Sequence, residues 1–267
     1  MTGSNRARRR WDPAGPAHET ARFADNDGVR IHYLDTGPVP STAPAEPDPV
    51  VFVPGVTCVA DDYIDVLPAF ARRVLVIDLR GRGRSDTPDA GYHRDDHVQD
   101  IEAVVAHARL GRFHLMMFSR GTAYGLPYAL AAADRVRSIS VGDYVGGELR
   151  IPGGAWAPQF AAGRWRGTPV AERIREVALA GIARESVERR YYDELGELAK
   201  PTLVVRSGVL LPGGRSFVNA HEQEGYRRAG AEVVTFDDSP HDLFRSDPTR
   251  YPSLVAALAA GAEAADH

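Results

Sequence analysis

A serine and a histidine, with the turns that carry them, are the residues of this sequence best suited to chemistry. The apolar run 113–118 stops at Ser119-Arg120-Gly121, and a stretch of helical character, 121–132, begins there. A serine in a tight strand-to-helix turn has its hydroxyl thrust out of the sheet, and the amide of the next residue points into the same space. Serine is a weak nucleophile at neutral pH until a base takes its proton. His241 stands where that base is needed, just past the last apolar run, 233–236, in a loop opened by Ser239-Pro240. That is the carboxyl edge, where a parallel sheet gathers its functional loops. An imidazole there can accept the serine proton and then hand it to the leaving group. The other eight of the 9 histidines read as core or surface residues.

The elements that must position this pair are legible in the apolar pattern. Short uninterrupted runs at 50–53, 74–77, 113–118, 136–141, 203–205 and 233–236 have the form of strands covered on both faces. Between them, 61–72, 95–108, 121–132 and 219–228 are helix-like, with Val98, Ile101, Val104 and Val105 at helical spacing. Strands alternating with helices imply right-handed crossovers and an α/β fold with a mainly parallel sheet. Ahead of them, Val29, Ile31 and Tyr33 alternate with Arg30 and His32 after the turn Asn26-Asp27-Gly28, which predicts a hairpin at a sheet edge. A connector with five prolines, 38–49, follows. The expected organisation is a disordered tail over 1–20, core over 21–144, a small helical lid inserted after the sixth strand over 145–199, and core again over 200–267. The insertion holds Trp156, Phe160, Trp165, Tyr191 and Tyr192. An aromatic insertion at the carboxyl edge makes Tyr144, Trp156, Phe160 and Trp165 the candidate substrate contacts.

Four landmarks occur in order: Val53-Pro54-Gly55-Val56, the run from Asp78 to Asp86 with Arg80, Arg82 and Arg84, the Ser119 turn, and Pro240-His241-Asp242-Leu243-Phe244. Together they make the chain from 21 to 260 resemble the α/β-hydrolase superfamily. The resemblance implies that Ser119 sits on a nucleophile elbow and that the amides of Val56 and Arg120 form an oxyanion hole. It also implies a triad acid, most often after the strand seen here at 203–206, yet 207–221 contains no Asp or Glu. Some members carry the acid at the end of the preceding strand, where Asp143 follows Ile139-Ser140-Val141-Gly142. Asp237 and Asp238 are alternatives, as is an imidazole held by water or a carbonyl oxygen. Two departures stand out: Met117 replaces the glycine usual two places before the serine, and Pro54 replaces a common histidine. The arginine-rich run matches the superfamily's structural loop, and it has neither P-loop spacing nor a lysine.

Composition bounds the rest. The chain has 267 residues, 43% hydrophobic and 25% charged, enough for one large core, and no 18-residue apolar run that would span a membrane. A net charge of -4 argues against a nucleic-acid surface. One cysteine, Cys58, excludes an internal disulfide and a multi-cysteine metal site, and reads as an apolar filler. Arg6, Arg8, Arg9 and Arg10 are followed by no apolar segment of a targeting signal, so a cytoplasmic location is expected. The expected function is that of a serine hydrolase acting without cofactor or metal on an ester, lactone or thioester of a small-to-medium apolar substrate. Ser119 would be nucleophile, His241 base and Asp143 acid. The alternatives are acyl transfer, carbon-carbon cleavage or cyclisation in the same pocket, or a non-catalytic ligand-binding member of the fold.

Overall fold

The structure is a computed structural model that describes residues 20–38, 46–209 and 216–265. The tail expected over 1–20, Thr20 apart, and most of the proline-rich connector lie outside the described residues.

Eight strands form one sheet: β1 (Ala21–Asn26), β2 (Val29–Asp35), β3 (Val50–Val53), β4 (Val74–Ile77), β5 (Phe113–Phe118), β6 (Val136–Gly142), β7 (Thr202–Ser207) and β8 (Glu232–Phe236). Their order is β1-β2-β4-β3-β5-β6-β7-β8. The pairs β1/β2 and β2/β4 are antiparallel, and every other neighbour is parallel. The helices are α1 (Arg94–His107), α2 (Thr122–Ala131), α3 (Trp156–Ala161), α4 (Glu176–Glu185), α5 (Tyr192–Leu198), α6 (Ala220–Arg228) and α7 (Arg250–Ala264). This is the expected α/β architecture. Alternate strand residues feed two apolar layers. Val51, Val53, Leu75, Leu115 and Met117 meet α1 and α2 residues on one face, while Val50, Phe52, Val76, Met116 and Phe118 meet Tyr63, Phe70, Tyr251 and Val255 on the other.

Several local expectations are corrected. The stretch read as a helix over 61–72 is a 3-10 helix, Ala60–Phe70, containing Pro68, which has no N–H to continue an α ladder. His32, expected on a polar face of an edge strand, is fully buried. Strand β2 is interior, lying between β1 and β4, and His32 Nδ1 meets Asp78 Oδ2 at 2.7 Å. Conversely β8, read as a buried run, is an edge strand whose Glu232 is exposed and whose Val233 and Val234 are half-buried. The alanine-rich α7 carries no strong apolar period and was not anticipated; it buries Tyr251, Val255, Ala259 and Ala262.

From β3 the chain passes to β4 on one side and then crosses to β5 on the other, so the loops leaving β3 and β5 diverge. A crevice opens at such a switch point, at the carboxyl ends of the strands. The segment between β6 and β7 carries α3, α4 and α5. Within it Gly147–Glu148 pairs with Arg189–Arg190, and Arg164–Trp165 pairs with Thr168–Pro169. Ile151, Ala157, Val170, Ile174, Leu179 and Ile182 form its own apolar cluster, which includes Tyr92 and packs on Val56. Among the described residues no helix is long and apolar enough to cross a membrane.

Candidate active site

The turn after β5 is built around close approaches. Ser119 takes a left-handed backbone, φ 51, a conformation costly for a residue with a Cβ and held only where the surroundings enforce it. A Cβ on Gly121 would lie 2.2 Å from the Val53 carbonyl oxygen, so only glycine lets α2 start against the end of β3. A Cβ on Gly55 would lie 3.0 Å from the Ser119 Cβ. The missing glycine before the serine is compensated from the helix side. Met117 is wholly buried, and a Cβ at Gly125 would stand 2.5 Å from its sulfur. The bulk has moved from α2 to β5.

Three sequence-predicted residues come together. His241 Nε2 lies 2.9 Å from Ser119 Oγ, and His241 Nδ1 lies 2.7 Å from Asp143 Oδ2. Asp143 is fully buried at the end of β6, with a left-handed backbone of its own, φ 43. Burial pushes its carboxyl up, but the His241 ring and donors from Ser207 and Ser216 outweigh this and hold it below the ordinary value of 3.8. The alternative acids are not brought to the ring: Asp238 pairs with Arg250 at 2.8 Å on the surface, and Asp237 is exposed.

Of the predicted oxyanion residues, Arg120 follows Ser119 directly and Val56 follows Gly55, which lies against the Ser119 Cβ; the side chains of both do other work. Val56 packs in the apolar cluster of the 145–199 segment. The Arg120 guanidinium is buried and reaches Glu148 at 2.9 Å, the Leu149 carbonyl at 2.9 Å and the Tyr124 hydroxyl at 3.1 Å. Burial opposes its charge, while Tyr124, Tyr144 and Glu148 together hold it protonated. Tyr144, a predicted substrate contact, is buried, with its hydroxyl 3.4 Å from Arg120 Nη1 and its ring 5.2 Å from Phe217. Trp156 and Phe160 stack at 4.7 Å against the cluster that holds Val56. Trp165 does reach the triad, its ring 6.3 Å from that of His241.

Sequence reasoning missed other neighbours. Phe118 and Phe217 stand 5.3 and 5.0 Å from the His241 ring, so three aromatic side chains surround the imidazole. Arg166 grips Asp242, the residue after His241, in a two-point ion pair of 2.8 and 2.6 Å. Only the acid-free stretch after β7 hinted that Ser207 and Ser216 would matter. Cys58 is buried as expected, and burial with Asp62 nearby pushes its thiol up to about 12, which leaves it unreactive. A possible metal-ligand group, Asp48, His114 and Glu263, lies at the opposite, amino end of the strands. Arg137 and Arg72 pair with its carboxylates at 3.0 and 2.8 Å, which makes it a salt-bridge knot.

A mainly parallel sheet with a strained serine at its switch point, joined to a histidine and a buried acid, defines a hydrolase architecture. The chain belongs to the alpha/beta hydrolase family of enzymes, whose sequence profile matches residues 50–252. It is 31% identical over 205 residues to a haloalkane dehalogenase of Mycolicibacterium paratuberculosis, covering 70% of this chain and 64% of that protein. The chain thus spans less than two thirds of the length of the haloalkane dehalogenases it matches. Among solved structures, the enol-lactonase of Burkholderia xenovorans LB400 superimposes with a TM-score of 0.70 at 17% identity, covering 89% of this chain and 99% of that one. The esterase RhEst1 of Rhodococcus sp. ECU1013 does so with 0.69 at 21% identity, covering 90% and 98%. These two share the fold.

Proposed function

We propose that the protein is a serine hydrolase that cleaves an ester, lactone or thioester of a small-to-medium apolar acid, using only its own side chains. The observation that carries this reading is the continuous Ser119–His241–Asp143 relay at 2.9 and 2.7 Å. Ser119 Oγ attacks the carbonyl carbon as its proton passes to His241 Nε2. The amides of Val56 and Arg120 receive the oxyanion. Collapse expels the alcohol or thiol, which takes the proton from His241. Water, deprotonated by the same ring, then attacks the acyl carbon, and the acid leaves as Ser119 regains its proton.

An apolar substrate suits the surroundings. Phe118, Trp165 and Phe217 face the imidazole, and the nearby charges are internally paired as Arg120–Glu148, Arg166–Asp242 and Arg173–Asp62. In this reading the 145–199 segment acts as the lid. Dehalogenation, the activity in the name of the 31% identical relative, fits Ser119 poorly. Displacement of halide by a serine hydroxyl would leave an alkyl ether, which has no carbonyl for water to attack.

Intact mass after incubation with a fluorophosphonate tests the reading. A single adduct is expected on the parent, absent in Ser119→Ala and formed about 10⁴-fold more slowly in Asp143→Asn, where the imidazole loses its orienting charge. A folded parent that takes no adduct, or an adduct that survives Ser119→Ala, would overturn it.

A further inference from the structure

The turn that follows β7 has no acid, yet it is bound to the acid that sits elsewhere. Asp143 is fully buried, so no solvent satisfies its carboxylate. Its Oδ1 accepts from the Ser207 amide at 3.1 Å and from the Ser216 hydroxyl at 2.8 Å. Its Oδ2 accepts from the Ser207 hydroxyl at 3.0 Å and from His241 Nδ1 at 2.7 Å. A carboxylate has about four acceptor positions, and each is filled. The Ser216 hydroxyl cannot turn away, because its oxygen accepts the Val218 amide at 3.1 Å and its proton is thereby committed to Asp143.

We propose that Ser216 is a positioning residue for the reaction: together with Ser207 it locks the Asp143 carboxylate in the one rotation that keeps Oδ2 on His241 Nδ1. The proposal rests on the serine-hydrolase reading for its kinetic consequence, though not for its geometry. With the acid carried by β6, the turn after β7 supplies the donors that fix it, and each element contributes half of the function. Without Ser216, Oδ1 keeps one donor and the carboxylate can rotate about its terminal bond. Donors spread over two oxygens resist that rotation, and a buried polar group left unmatched is costly. The groups packed around Asp143 are Ser207 from β7, Ser216 from the next turn and His241 from the loop after β8, and His241 is the titratable one among them.

The test compares the parent, Ser216→Ala and Ser216→Thr in two readouts. The first is the rate of fluorophosphonate adduct formation at neutral pH. The second is the far-downfield proton resonance of the His241 Nδ1–H, which needs no turnover. In Ser216→Ala the rate at neutral pH is expected to fall about tenfold, as for the loss of one hydrogen bond to a charged group. The downfield resonance should shift or broaden. Ser216→Thr, which keeps the hydroxyl, should restore both. An unshifted resonance in Ser216→Ala would overturn the proposal, even if the rate fell through general loss of stability. A parent that forms no adduct would instead overturn the serine-hydrolase reading, and the resonance would still decide the role of Ser216.

Discussion

Met117 and Gly125 are two halves of one packing solution at the crossing of β5 and α2. A methionine at the position where the fold usually has glycine needs space, and the space exists because the facing helix residue has no side chain, with only 2.5 Å between the Met117 sulfur and a Cβ built on Gly125. Alanine at position 125 should gain helix propensity of about 1 kcal/mol in isolation and still destabilise the protein, because the sulfur has nowhere to go. Met117→Ala removes a fully buried side chain and should cost about 2–5 kcal/mol. The double variant should be more stable than the sum of the two changes predicts, by about 1 kcal/mol or more, as measured by urea unfolding of all four proteins. Simple additivity would show that the two residues do not share one space. Ser119 and His241 were readable in the sequence because their positions follow from the order of the apolar runs. Asp143 was reached through the resemblance, which allows the acid at the end of the preceding strand where 207–221 holds none. The contact of the Tyr144 hydroxyl with Arg120 was not readable, because nothing in a linear pattern says which way a tyrosine beside the acid turns.

The hairpin formed by Arg164–Trp165 and Thr168–Pro169 is too short to hold its shape alone. Its tip residue, Arg166, has a left-handed backbone, φ 47, and sends its guanidinium to Asp242 and to the Asp62 carbonyl at 2.9 Å, over the rings of Tyr63 and Phe244. One arginine therefore ties the insertion to the loop that carries His241, and it sets Trp165 beside the imidazole. In Arg166→Ala the half-buried Asp242 loses its partner, and hydrogen exchange across 156–170 should quicken well before global unfolding. Fluorophosphonate labelling of Ser119 should slow in the same variant, and Arg166→Ala/Asp242→Ala should recover part of the loss in stability. Exchange rates equal to the parent's would mean that the apolar cluster alone holds the segment. The strands were legible because burial on both faces writes itself into uninterrupted apolar runs, and α1, α2 and α6 because they fill the intervals between those runs. What escaped was set by neighbours: β2 is interior and β8 an edge only because of sheet order, and the Arg166–Asp242 tie joins residues 76 apart in sequence.

At the scale of the whole molecule, the arginine-rich landmark after β4 works as a buried polar keystone. Arg82, 1% exposed, donates to the Arg80 carbonyl at 2.8 Å and meets His97 Nε2 at 2.7 Å, while the His97 ring stacks on Tyr124 at 4.0 Å. Because the guanidinium is the donor, the facing ring nitrogen must be unprotonated. Burial first, and then the Arg82 charge, push the imidazolium of His97 well below its ordinary 6.5. A base depressed in the folded state contributes stability that is fully present above the unfolded value of 6.5 and is lost as pH falls below it, because the unfolded chain then takes up a proton that the folded chain refuses. His114, lowered by burial, adds in the same direction, whereas Asp61 and Glu148, raised by burial, oppose it. Comparison with a variant isolates the one contribution. His97→Gln should be less stable than the parent at pH 7, and the gap between their urea midpoints should narrow steadily from about pH 6.5 toward pH 5. A gap that stays constant over that range would mean that the folded chain takes up the His97 proton as readily as the unfolded one, and that the Arg82 pairing is not what keeps this corner of the sheet closed beneath α4.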